Sequence, residues 1–366
     1  MTFDNHQISG RQCRRSLFIE LFGISIFLIT AAYTSLYGRK CFVMFLAGSV
    51  VALLIGWFYF RLSKHQTRSY GTQVAQAYSK TGWFVALLYT IRFTLRAGFL
   101  LSIFYHLMEN YLIQEAGYSY IAIPLIVVSA YGAMKGREKR LRVMELLVWF
   151  VSVPFLLALC LALKEVHISQ YYQEVTTSAT GIQKILGGFI VPALFSNIEF
   201  ILFLAPKIKE TEKSVNNLLC PFALTVICNL AAMLLVVGVV GYENAFSLEQ
   251  PLIRVLESVN FPGSFVRRLD ILVLAFWIFA VFGVLSSCMF YSGRLLRDNC
   301  GYLKHRTYYP WELLLVMGFV YLFGFWCNKM ENAFFAYVAY SVLLDIPLGM
   351  LLAWLTKKRS ESFLGT

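Results

Sequence analysis

Five ionisable residues sit where an apolar chain should carry none. Arg92 and Arg96 stand four apart in Tyr89-Thr90-Ile91-Arg92-Phe93-Thr94-Leu95-Arg96, so they share one helical face with Tyr89. Arginine does not shed its proton in proteins, and an ionised group deep in lipid is costly. Each therefore needs an acid or a water-filled cavity beside it. The carboxylates placed to answer are Glu20, Glu199 and Asp345, each inside a different apolar stretch; Glu145 and Asp270 lie nearer the ends of theirs. Two kinds of chemistry fit this set. The ion pairs either fix helix packing alone, or serve as a gate or carboxylate anchor, with Glu199, Asp345 and Glu20 as gating or proton-coupling groups.

A second signal is a polar interruption. In Gly187-Gly188-Phe189-Ile190-Val191-Pro192-Ala193-Leu194-Phe195-Ser196-Asn197-Ile198-Glu199-Phe200, glycines, a proline and polar residues break an apolar run. Pro192 lacks a backbone donor and disfavours helix just before it, and Ser196 and Asn197 are residues that cap a restarted helix. Broken helices are tolerated in lipid only where they line a cavity or lie buried in protein. Glu20-Leu21-Phe22-Gly23-Ile24-Ser25 is a weaker counterpart. Gly283, Ser287 and Tyr291 add a third small-and-polar face at four-residue spacing. Gly23, Ser196, Arg92 and Gly283 all fall about one-third of the way into their runs, so the pattern expects them to meet at one level.

The elements that must hold these residues follow from composition. The chain has 366 residues, 58% hydrophobic and only 14% charged, with a mean hydropathy of +0.65. Soluble chains carry about 25% charged residues, so a soluble enzyme is excluded. Ten apolar runs are expected to span a membrane, at 17–36, 41–60, 82–108, 119–134, 143–163, 181–206, 218–241, 269–292, 312–327 and 335–356. They fill one polytopic domain, 1–366, and split into halves at 17–163 and 181–356. The two interrupted runs open these halves, one and six, and interruptions at matching places in two repeats point to a transporter's binding site. Of the 32 Lys and Arg, 22 lie in the termini and alternate connections on one side and 8 on the other, counting Lys184 at the start of the run 181–206. The positive-inside rule then puts both termini in the cytoplasm, and the net charge of +12 needs no nucleic acid. The basic stretch Lys135–Arg142 is expected at the cytoplasmic surface, against anionic lipid or a partner. Leu252, Ile253, Val255, Leu256 and Val259, after Pro251, predict a short amphipathic helix that lies on the membrane or caps an entrance.

No histidine pair, nucleophile elbow or phosphate loop is present, and the eight cysteines form no CxxC pair. No cofactor, metal site or catalytic residue is expected. The residues instead resemble the spore germination permeases, the B subunits of nutrient germinant receptors, within the amino acid–polyamine–organocation superfamily. The run Gly136-x-Glu138-x-x-x-Arg142-x-x-Glu145, the stretch Arg268-Leu269-Asp270 leading to Trp277, and Pro192-Ala193-Leu194-Phe195-Ser196 with Glu199-Phe200, Pro206 and Lys207 carry the resemblance.

The resemblance implies an all-helical five-plus-five inverted repeat, with a ligand pocket among spans one, three, six and eight. It implies detection of amino acids or similar nutrients in the spore inner membrane, together with receptor A and C subunits. Gly23, Ser25, Ser196, Asn197, Ser287 and Tyr291 become the ligand-binding expectation, joined by Arg92 and Arg96. The arginine pair is a departure from the family and would favour an anion or an extra carboxylate on the ligand. Three functional readings stay open: a sensing subunit, a proton- or sodium-coupled amino acid carrier, and an assembly subunit that binds no ligand.

Overall fold

Each of the ten apolar runs forms helix. The computed structural model describes residues 8–64, 66, 68–78, 81–172, 181–259, 269–299, 311–330 and 332–362. By length and composition, seven helical stretches can cross a membrane. The first, Gly10–Ser63, is two spans, Gly10–Tyr37 and Cys41–Ser63, joined by the 3-10 turn Gly38–Lys40. The shorter apolar helices Tyr118–Met134 and Glu312–Asn328 complete the ten. Arg268, part of the family pattern, lies outside the described residues.

Helix boundaries run past the apolar runs wherever polar residues can end a helix. Span one starts at Gly10 because Ser9 caps it: the Ser9 hydroxyl accepts from the Gln12 backbone N–H, and the Gln12 side-chain Oε1 accepts from the Ser9 backbone N–H, both at 3.2 Å. It then continues unbroken to Tyr37, which corrects the interruption expected at Glu20–Ser25. Gly23 is there for close packing. A Cβ at Gly23 would lie 3.0 Å from the Ala280 carbonyl oxygen of span eight. A lone interior glycine costs a helix only about 1 kcal/mol, and nearly all of this one's neighbours are buried.

Span six is interrupted, as expected. Helix Gly181–Gly187 gives way to Ile190–Leu194, then a 3-10 segment Phe195–Phe200, a turn of α-helix Ile201–Leu204 and a last 3-10 turn Ala205–Lys207. Pro192 falls in the first turn of its segment, where its missing N–H leaves no bond unmade. From Ile190 onward the stretch is almost wholly buried, which meets the condition for irregular backbone at membrane depth. Span two lets it in close. Gly48, Ser49, Ala52 and Gly56 line the buried face of span two, and a Cβ at Gly56 would collide with Ile198. The opposite face presents Val43, Leu46, Val50, Leu54 and Trp57 to lipid.

Span ten has an irregularity that the sequence did not announce. Ala333–Tyr340 and Ile346–Ser362 are joined by a π turn, Ser341–Asp345, and π turns often occur at functional sites. The short helix Pro251–Ser258 buries Leu252, Ile253, Val255 and Leu256 against spans one, five, seven and eight. It is tucked into the bundle, not laid on the membrane.

Candidate functional site

Span three delivers Arg92 and Arg96, one turn apart, into the centre of the bundle. There they meet Glu199 from the 3-10 stretch of span six and Asp345 from the end of the π turn. Arg92 holds Glu199 with both terminal nitrogens, at 2.9 and 2.8 Å, and Asp345 Oδ1 through Nε at 2.8 Å. Arg96 donates Nε to Asp345 Oδ2 at 2.8 Å and NH2 to Glu199 Oε2 at 2.7 Å. Backbone carbonyls take further donors: Asp345 from Arg92 at 2.8 Å and Ser196 from Arg96 at 3.2 Å. All four side chains are buried. Two positive and two negative charges sum to zero, and each guanidinium spends most of its donors inside the quartet. The arginines are thus neutralised, which removes the reason to expect an anionic ligand.

Glu20 is not a partner of this pair. Its Oε1 accepts from Ser16 at 3.0 Å and from Ser287 at 2.6 Å. It faces Arg140 at 3.5 Å, while its Oε2 is buried without a hydrogen-bond partner. Arg140 also donates to the Ser287 hydroxyl and, at 2.8 Å, to the Tyr291 hydroxyl. Ser287 and Tyr291 therefore hold an ion pair that links spans one, five and eight.

Arg140 corrects the reading of Lys135–Arg142 as a purely surface stretch. The helix begins at Arg137, so Arg140 shares the buried face of Met144, Leu147, Val151 and Phe155 at helical spacing. That spacing was the signal, hidden because Arg140 lies among four other basic residues. Trp277 and Asn229 carry further contacts: Trp277 donates to the Gly23 carbonyl at 3.0 Å, and Asn229 to Ser25 at 3.1 Å.

The expected residues thus fall into two linked clusters. Arg92, Arg96, Ser196, Glu199 and Asp345 form one; Asn197, Glu20, Ser287 and Tyr291 gather at the other, while Gly23 packs apart from both on Ala280. Asn197 joins them, donating to the Glu20 carbonyl at 3.1 Å from the residue next to Ser196. Ser196 and Asn197 cap no helix, because the 3-10 turn carries the chain through them. Ser25 points to span seven, and Gly283 packs on Ile19 and Met144, away from the quartet. Every expected ligand residue is buried, so the central site is closed. Among the described residues no group of His, Cys, Asp and Glu is arranged to hold a metal.

This arrangement can be set beside known proteins. The sequence profile of the spore germination proteins matches residues 7–332. The chain belongs to this family of spore permeases. Span ten, with Asp345, lies beyond the matched segment. No curated protein matches the chain.

Solved structures show the fold. A substrate-bound, outward-open Na+-coupled sialic acid symporter is 14% identical, with a TM-score of 0.57 over 98% of this chain and 78% of that one. A nucleobase-cation-symport-1 family transporter, closed around bromovinylhydantoin, is 11% identical, with a TM-score of 0.63 over 95% and 78%. A manganese transporter from Eremococcus coleocola is 10% identical, with a TM-score of 0.55 over 96% and 75%. The spore permease is an integral, multi-pass membrane protein with the inverted-repeat transporter fold.

Proposed function

We propose that this spore permease is the nutrient-sensing, permease-like subunit of a spore germinant receptor. Its ligand is a small nutrient, an amino acid, and receptor A and C subunits read the resulting change of shape in the spore inner membrane. The observation that supports this reading most is the quartet Arg92–Arg96–Glu199–Asp345. It ties spans three, six and ten into one closed packing and leaves no charge over, so it is an element with discrete made and unmade states. A ligand shifts such an equilibrium only by binding one state better than the other.

The second reading is a proton-coupled amino acid carrier, and Glu20 favours it. The Glu20 carboxyl has one buried oxygen without a partner and only a 3.5 Å contact to its cation, a geometry compatible with taking up a proton.

Purified chain in vesicles, given a mixture of labelled amino acids, separates the two. Binding without concentrative uptake, weakened by Ser196→Ala and Tyr291→Phe, is the result expected of a sensing subunit. Concentrative uptake by this chain alone makes it a carrier, and absence of both binding and uptake removes the ligand-binding role.

A further inference from the structure

Three cations gather at the end of the bundle where the chain begins. Arg137 opens span five, Lys207 closes span six and Arg294 lies near the end of span eight. Lys207 stands within electrostatic reach of Arg137 and Arg294, and its carbonyl accepts from the Ile8 N–H at 2.8 Å, just before span one. One acid, Asp298, acts on all three, and Arg294 already holds it at 3.2 Å. Arg297 reaches the same carboxylate. Among the described residues, Arg137 and Lys207 thus have no carboxylate of their own.

Phe290 brings a second observation. The guanidinium carbon of Arg137 lies 6.0 Å from the centre of this half-buried ring, and that of Arg140 lies 4.9 Å from the same ring. Residues three apart share a helical face, so span five presents two guanidiniums together. In both, Nε is buried and has no hydrogen-bond partner. Arg140 is almost wholly buried and spends its terminal nitrogens on Ser287 and Tyr291. Buried donors are normally satisfied, and an unmade bond costs more when the group is charged. The helix that starts at Arg137 has no capping side chain, so its first N–H groups lack intrahelical partners as well. There is room beside these groups. A Cβ at Gly136 or at Gly293, the residues before Arg137 and Arg294, would meet nothing within 4 Å.

Uncompensated positive charge, unpartnered Nε–H donors and open space together call for an acceptor with several oxygens and a net negative charge. We propose that Arg137, Arg140, Lys207 and Arg294 form a binding site for a phosphate group. Guanidiniums match phosphate oxygens in geometry, and a lysine adds a point charge. The tetrahedral oxygens can face spans five, six and eight at once, as a planar carboxylate cannot. The charge rule assigns this end to the cytoplasm, where basic pockets between spans suit anionic phospholipid headgroups; free phosphate has the same chemistry. A phosphate seated here joins the ends of three spans and, through Lys207, supports the Ile8 contact. It therefore holds this end of the bundle together.

The test is thermal unfolding of the full chain in neutral detergent at fixed ionic strength. Inorganic phosphate is compared with chloride, and phosphatidylglycerol with phosphatidylcholine. A ligand at about 100 times its dissociation constant should raise the melting temperature by about 3 °C for a chain this long. The shift should fall by more than half in Arg137→Gln and in Lys207→Gln. It should persist in Lys139→Gln, which removes the same charge from an exposed position of the same stretch. Native mass spectrometry counts the phosphatidylglycerol retained by wild type and Lys207→Gln, and reads the site even where Arg137→Gln fails to fold. A shift with phosphatidylglycerol alone supports the site as one for a lipid headgroup; an equal shift with inorganic phosphate supports it as one for the free anion. No shift with either, a shift kept in full by Arg137→Gln and Lys207→Gln, or an equal loss in Lys139→Gln reduces the cluster to ordinary surface charge and overturns the inference. Neither probe is a nutrient, so the sensing role is tested separately.

Discussion

Glu199→Gln is the sharpest probe of the quartet. Glu199 accepts three hydrogen bonds, at 2.7–2.9 Å, from two arginines with no access to solvent. The amide keeps the shape but leaves two guanidiniums facing one carboxylate. Breaking a buried ion pair by removing one partner costs about 3–5 kcal/mol, because the remaining charge stays buried and uncompensated. Unfolding entropy of about 2.1 cal/mol/K per residue gives roughly 0.8 kcal/mol/K for a chain this long. The loss should then read as a fall of about 4–6 °C in melting temperature in detergent. Adding Arg92→Gln restores neutrality, leaving Arg96 with Asp345. Because the two sites are in contact, their effects should not add, and the double variant should recover more than half of the lost stability. If Glu199→Gln melts with the wild type, or if the double variant falls by the sum of the singles, the charge-balance account of this site is wrong. A double variant that melts normally yet no longer responds to ligand would assign the quartet a working role as well as a packing one.

Three further outcomes follow from the same geometry. Gly349→Ala should lower the melting temperature by a few degrees, because a methyl there runs into the Arg92 guanidinium and lies 2.8 Å from Glu199 Oε1 and the Tyr59 hydroxyl; overpacking of this kind costs about 1–3 kcal/mol. Trp277→Phe should cost about 1 kcal/mol by deleting the bond to the Gly23 carbonyl while keeping a ring against Phe27, whose centroid lies 4.8 Å away; thermal unfolding of the purified chain reads this. Glu20→Gln should destabilise far less than Glu199→Gln, since only one Glu20 oxygen is engaged and its cation stands 3.5 Å off. If Glu20 carries a proton, that variant should also flatten the pH dependence of binding or uptake, and an unchanged pH profile would rule the role out.

The spans were legible because lipid selects for what the eye can count. A helix that must satisfy its own backbone in hydrocarbon needs a long apolar run, and all ten runs became helix. Arg92 and Arg96 were legible for the converse reason, as the cost of burying them demanded acids in other spans. Glu199 and Asp345 answered that demand, while Glu20 did not, because depth along a span does not specify the direction a side chain takes around it. Arg140 was obscured by its basic neighbours, although Met144, Leu147 and Val151 set the face it occupies. The unbroken first span shows the limit of reading a single glycine: Gly23 marks where the Ala280 backbone comes close, and a close approach looks the same in sequence as a break. The π turn at Ser341–Asp345 left no composition signal at all.

The two charged clusters differ in a way that bears on how the permease changes shape. In the quartet both carboxylates are engaged by both arginines, so loosening one contact leaves others in place and the element opens only as a whole. The Glu20–Arg140 pair is held largely through Ser287 and Tyr291 and can adjust locally. Span ten carries the Tyr337 ring stacked on Phe99 of span three and, through its π turn, the Asp345 carboxylate of the quartet. A displacement of Tyr337 away from Phe99 therefore acts on the helix that anchors Arg92 and Arg96. One continuous segment of chain thus joins the Phe99–Tyr337 contact to the quartet, and in the proposed sensing role the quartet would be the step that makes a response all-or-none.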